Sequence, residues 1–230
     1  MAHGDDRANE GHARPGGAPH SVRHPLFARV CAGMSALEGR SRFADYRREQ
    51  LEGISGRVVE IGCGSGVHFR HYRPPVTAVT AAEPEPYLRR LALRAASRAA
   101  VPVSVIDAVA ERLPFPDGAF DVGVSSLVLC TVTDPQAAVA ELWRVIRPGG
   151  ELRLLEHVRA AEVRLARRQA RADRWLWPRL AGGCHCCRDT AATVAAGGFR
   201  MERLRALTIP AFWPFDVVSP AIIATARRLP

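Results

Sequence analysis

The chain contains no lysine: all 32 of its basic residues are arginine. So complete an absence marks a compositional bias of the whole chain rather than a surface selected for nucleic acid. The net charge of +9 therefore names no nucleic-acid partner by itself. No stretch approaches the ~18 uninterrupted apolar residues of a membrane-spanning helix. Residues 1–24 carry glycine, histidine and charge but no apolar segment of a secretory signal, so cytoplasm is the expected compartment. The six cysteines make no disulfide framework. Cys31, Cys63 and Cys130 stand alone, Cys184, Cys186 and Cys187 crowd together, and all are expected reduced. No internal repeat occurs.

What is present fits one globular domain with a full core: 230 residues at 47% hydrophobic content. Residues 1–24, with Pro15-Gly16-Gly17, read as a disordered polar tail, and 25–230 as the domain. Charge is unevenly spread. Residues 159–179 hold seven arginines against Glu162 and Asp173, so this segment supplies five of the nine net charges. It is expected to be a solvated helix face, or a basic patch lying on a membrane surface.

From Pro25 to Glu52 the apolar positions Leu26, Phe27, Val30, Met34, Leu37 and Phe43 predict a helical cover, 25–56 in all. Strands and helices then alternate. Strands are expected at 57–61, 77–82, 103–106, 120–125 and 151–157, with helices at 66–72, 86–99 and 134–146 between them. Arg147-Pro148-Gly149-Gly150 reads as a turn. A helix capped by Asp189 or Thr190 and two closing strands, 199–209 and 221–227, complete the chain. The pattern predicts an α/β, Rossmann-like fold: a mostly parallel, seven-stranded sheet with helices on both faces. Ligands of such sheets bind beyond the carboxyl ends of the strands.

Those ends carry the chemistry. After the first strand, Glu60-Ile61-Gly62-Cys63-Gly64-Ser65-Gly66 forms a glycine turn where backbone amides can approach a ligand. A dinucleotide fingerprint requires its third glycine at position 67, which is Val67, so a nicotinamide oxidoreductase is disfavoured. Glu83, at the end of the second strand, is placed to accept hydrogen bonds from a ribose diol.

The Glu-x-Gly-x-Gly-x-Gly pattern resembles motif I of the class I methyltransferases that use S-adenosylmethionine (SAM). So does the stretch Val109-Ala110-Glu111-Arg112-Leu113-Pro114-Phe115, with Val109 where that family has aspartate. Leu142-x-Arg144-Val145-Ile146-Arg147-Pro148-Gly149-Gly150 is similar to the same family's junction with the fifth strand. Within the family, Ser126-Leu127-Val128-Leu129-Cys130-Thr131-Val132, Leu155-Glu156-His157-Val158 and the Gly-Gly-Cys-His…Arg188-Asp189-Thr190 segment resemble the thiol methyltransferase group.

The resemblance implies SAM as cofactor, held by Glu60, Gly62, Gly64, Gly66, Glu83, Pro84, Ala110, Glu111, Ser126 and Leu127. Glu60 either takes the cofactor's amino group or holds the loop. The adenine amino group falls to backbone, to Glu111 or to Asp107. The expected reaction is methyl transfer to a small, rather apolar acceptor by in-line displacement. A thiol is favoured, with a lipid or quinone-like ring as the alternative, and a non-catalytic SAM-binding protein as a third reading. A nucleophile that needs a base would use Glu156 or His157. Residues 158–198 are expected to form a substrate-side lid, with Trp175, Leu176, Trp177, Trp213 and Phe215 either lining an apolar pocket or packing on the core. No metal is expected, because Cys184-His185-Cys186-Cys187 has no second ligand pair near it in sequence.

Overall fold

From residue 56 onward, runs of valine, isoleucine and alanine end in turns, and together these runs build a single sheet. The structure is a computed structural model that describes residues 25–37, 42–209 and 215–230. The expected polar tail (1–24) and Trp213 lie outside the described residues, as does the side chain of Phe215.

The sheet has seven strands: β1 (Gly56–Ile61), β2 (Val76–Ala82), β3 (Val103–Ile106), β4 (Phe120–Ser126), β5 (Ile146–His157), β6 (Phe199–Thr208) and β7 (Pro220–Arg228). Their order is β3-β2-β1-β4-β5-β7-β6, and only β7 runs against its neighbours. The expected α/β architecture is what forms. Register puts Ile61 level with Ala82 and Ser125, Ala82 level with Ile106, and Ser125 level with Leu154. Five parallel strands therefore end along one row.

The sheet divides the core by strand parity. Val58 packs to one face with Val79, Val122, Val124, Phe69 and Ala92. Val59 and Ile61 pack to the other with Val139, Leu142 and Val194. Both faces are covered, as a parallel sheet requires. Helix α3 (Pro86–Ala96) starts on a Glu85 cap that accepts from the Leu88 amide, and α4 (Pro135–Val145) on an Asp134 cap that accepts from Ala137. Each has proline at its first position, where no amide is needed.

Two helices, α1 (Pro25–Leu37) and α2 (Arg42–Gln50), precede the sheet. Of the apolar positions expected to bury α1, Phe27 turns inward, while Leu26, Val30 and Met34 are exposed. Beyond β5 come α5 (Val163–Trp175), the single turn α6 (Trp177–Leu180) and α7 (Thr190–Ala196).

Two local expectations are corrected. Residues 66–72 form successive turns, not a helix. His68, Phe69 and Tyr72 are all drawn into the interior, and Pro74-Pro75 stops any extension. At 147–150 the chain is already strand. Gly149 takes φ +76°, and a Cβ on Gly150 would lie 2.6 Å from the Asp121 carbonyl oxygen. The glycine pair serves an irregular strand entrance rather than a turn.

Candidate functional site

The three glycines after β1 all have positive φ but for different reasons. A side chain on Gly62 would strike Val128, its Cβ 2.5 Å from Cγ2, and one on Gly66 would strike Phe69 and Ala95. Beside Gly64, its own chain neighbours aside, no atom of the described residues lies within 4 Å of where a Cβ would sit. The backbone there is bent around open space at the strand ends. Across that space the Glu83 carboxylate accepts the Gly64 amide at 2.8 Å on one oxygen and the Glu85 amide at 2.9 Å on the other. Each oxygen retains a lone pair for a ligand. Burial pushes the Glu83 carboxyl up to about 7, against the pull of those two amides. A glycine cradle facing an acid with free acceptor sites fits a nucleoside carrying an amino-acid moiety.

Glu60 faces the interior. It accepts from His68 Nδ1 at 2.6 Å and from the Tyr72 hydroxyl at 2.9 Å, and all three residues are buried. Arg47 of α2 reaches His68 Nε2 at 3.1 Å and donates to the Ser126 hydroxyl at 2.9 Å. Of the two roles expected for Glu60, this geometry is that of holding the loop.

Arg89 fixes the far side. It donates to the Glu83 and Pro84 carbonyls and pairs with Asp107 at 2.9 Å. Ala110 is buried, and Glu111 accepts from the Thr133 amide at 2.9 Å and the Asp134 amide at 3.3 Å. Arg144 donates to the Leu113 and Phe115 carbonyls and to Asp117, joining two sequence motifs that lie far apart in the chain.

The end of β4 is tightly made. Leu127 adopts φ +59°, a left-handed conformation that disfavours a branched side chain. Glu156 lies beneath it with no exposed surface. Its carboxylate accepts from Ser125 Oγ at 2.7 Å and from the amides of Val128, Leu129 and Cys130 at 3.0, 3.1 and 3.4 Å. Burial raises its pKa. For the expected acid–base role of Glu156 this geometry is unfavourable: its oxygens accept from Ser125 and the loop amides, and the residue has no exposed surface.

His157 is half-buried, one residue further along β5. Its Nδ1 lies 3.9 Å from the sulfur of Cys130 and 3.9 Å from that of Cys184. The Cys130 thiol donates to Cys184, and this, with His157 and Trp177 beside it, holds Cys184 well below the usual thiol range. Cys186 and Cys187 point elsewhere, their amides donating to Asp173. Isolation in sequence concealed this cluster, for no spacing rule links positions 130, 157 and 184.

Helix α1 crosses above the crevice. Phe27 packs with Cys130, Ala181, Cys184 and Trp177, and Cys31 feels both Glu83 and Cys184, its pKa raised to about 11 chiefly by burial. Two surface clefts, one beside Arg73 and Pro75 and one beside Arg48 and Arg70, share no residue with this crevice. No helix among the described residues is long and apolar enough to cross a membrane.

Residues 59–154 match a family described as a methyltransferase domain. The chain is 31% identical over 196 residues to the thiol S-methyltransferase TMT1B of Mus musculus, covering 82% of this chain and 80% of that protein. It is 32% identical over 136 residues to a demethylmenaquinone methyltransferase of Thermus thermophilus, covering 58% and 60% respectively. Among solved structures, the [4+2]-cyclase SpnF superposes with a TM-score of 0.70 at 20% identity, covering 92% of this chain and 97% of that one. That last likeness shows the fold alone.

Proposed function

This chain belongs to the class I SAM-dependent methyltransferases, and we propose that within the family it methylates a small, rather apolar thiol. Bound SAM supplies a methyl group on a cationic sulfonium, so the protein's work is to hold, orient and exclude water. In this reading the amides of Gly62, Gly64 and Gly66 receive the cofactor's amino-acid end, and Glu83 receives the ribose diol. Pro84, Ala110 and Glu111 border the base, and Ser126 and Leu127 border the methyl side.

One observation carries the choice of acceptor. Of the two candidate bases Glu156 is fully buried, which leaves the partly exposed His157 beside two sulfurs. A hydroxyl or ring carbon needs a positioned general base, whereas a thiol is partly ionised near neutrality and needs little help from one. Relatives named as thiol S-methyltransferases support the same choice. We assign residues 25–56 as the cover and 158–198 as the acceptor-side lid, on the packing of Phe27 and Trp177 against the cluster of Cys130, Ala181 and Cys184.

The test is product analysis with methyl-labelled SAM, offering alkyl and aryl thiols beside a demethylated quinone and a phenol. Methyl thioether as the main product is expected. Quinone C-methylation without thioether would replace this reading with the quinone-like one.

The Arg-rich segment 159–179 is also proposed to meet an anionic membrane surface peripherally. Arg164, Arg167, Arg171, Arg174 and Arg179 are exposed, and Trp175 and Leu176 are exposed beside them. Sedimentation with anionic and with neutral vesicles tests it, and equal recovery in both supernatants at low salt rejects it.

A further inference from the structure

Cys130, His157 and Cys184 arrive from three separate places: the loop after β4, the end of β5 and the segment before α7. One ligand atom from each lies within 4.8 Å of the others, and the two sulfur–nitrogen distances are both 3.9 Å. In a tetrahedral zinc site, with bonds of ~2.3 Å to sulfur and ~2.0 Å to nitrogen, such atoms stand about 3.6 Å apart. Contraction of the sulfur–nitrogen pairs by a few tenths of an ångström, with the two sulfurs at about 3.8 Å from each other, would bring the three onto one ion. Two thiols and an imidazole are the donors that suit zinc rather than magnesium or calcium.

The surroundings hold these groups in place independently of one another. Glu156 fixes the Cys130 amide from below, and Arg188 donates to the Leu129 and Val132 carbonyls on either side. The His185 amide donates to the Cys130 carbonyl at 2.7 Å, tying the two cysteine segments together through their backbones. Burial is asymmetric. Cys130 has no exposed surface and Cys184 only 6%, whereas His157 is half-buried, so the cluster opens on the histidine side. No fourth histidine, cysteine or acid joins the group among the described residues. Structural zinc sites close with four protein ligands, and catalytic ones keep a position open.

We propose that Cys130, His157 and Cys184 bind one soft divalent cation of the zinc class, with the fourth coordination position reserved for the sulfur of the methyl acceptor. The second half of this inference rests on the thiol reading above; the first half does not. A thiol that binds there gives its proton to solvent and stays nucleophilic as the bound thiolate. Its sulfur then bonds the methyl carbon while the sulfonium–methyl bond breaks, that electron pair remaining on the departing thioether sulfur. The methylated product is itself a thioether, a weaker ligand than a thiolate, and it leaves.

The experiment uses the full chain purified under reductant without chelator. Elemental analysis should give about one equivalent of zinc, lost in Cys184→Ser and in His157→Ala and kept in Cys187→Ser. To separate loss of metal from loss of fold, the same site is read in the unaltered protein by exchanging the metal for cobalt. A thiolate-to-cobalt charge-transfer band with intense four-coordinate visible bands is expected, and added thiol should shift the visible bands. Cobalt binding without the charge-transfer band, or metal content unchanged in folded Cys184→Ser and His157→Ala, overturns the site. Visible bands unmoved by a thiol that is nonetheless methylated overturn the fourth-position assignment. Bound metal with no thiol turnover upholds the site and defeats the acceptor reading instead.

Discussion

Ser125 donates its hydroxyl to Glu156 across 2.7 Å, and neither residue has any exposed surface. The same carboxylate gathers the amides of Val128, Leu129 and Cys130. It thereby sets the path of the chain between the cofactor side of the crevice and the sulfur cluster. Its oxygens hold the Ser125 hydroxyl and three backbone donors.

Glu156→Ala should strand four buried donors and lower stability by about 3 kcal/mol or more, read by thermal or urea unfolding. Glu156→Gln keeps one acceptor oxygen for the three shorter bonds and should retain kcat within about tenfold. A loss of ~100-fold or more in a well-folded Gln variant would restore Glu156 as the general base.

Glu83 links cofactor binding to pH. An acid whose folded pKa is raised holds its proton more tightly when folded, so its contribution to stability is full below about 4.5 and is lost as pH rises through about 7. Affinity runs the other way, since the ribose diol needs the ionised carboxylate. Calorimetric SAM affinity should fall about tenfold from pH 8 to pH 6, with a proton released on binding at the lower pH. Glu83→Gln should bind weakly and without that pH dependence; an unchanged profile would remove Glu83 from the site.

Gly64→Ala and Gly62→Ala should separate binding from folding. In both, the left-handed conformation costs about 1 kcal/mol. At Gly62 the new methyl also collides with Val128, so that variant should melt much earlier. At Gly64 the methyl enters open space, so folding should survive and SAM affinity should drop more than tenfold. Equal affinity in Gly64→Ala and the unaltered protein would place the cofactor elsewhere.

Gln169 should prove a hub of the lid. Fully buried on α5, it accepts the Ala160 amide at 2.7 Å, and its amide nitrogen reaches the carbonyls of Val158, Cys186 and Val217. Gln169→Leu keeps the volume but strands these groups, and should cost about 2–4 kcal/mol. Hydrogen exchange should quicken first at 158–188, with β1 and β4 unaffected.

The fold was legible because its signals are local. A β-branched run such as Val58-Val59 with a glycine turn behind it has few other ways to fold, and proline after Asp134 or Glu85 marks a helix start in the sequence itself. Where a helix was expected at 66–72 the chain closes i→i+3 turns, Gly66 on Cys63, Phe69 on Gly66 and His71 on His68, and Gly66 holds a left-handed φ of +79° against the packed Phe69 and Ala95. Similarly, the apolar face read for α1 was reversed at Leu26, Val30 and Met34, since which side of a helix meets the core depends on where the helix lands.

The sequence by itself determined the alternation of strands and helices, the glycine turn and the acid that faces it, because backbone sterics and residue spacing act within a few positions. Tertiary structure alone decided which acids are sealed and which groups meet. Glu156 is taken by amides that fold back over it, and Cys130, His157 and Cys184 come together only when β4, β5 and the segment before α7 close on one crevice. Contacts between residues so far apart in the chain are fixed by sheet register and packing, for which no local pattern exists.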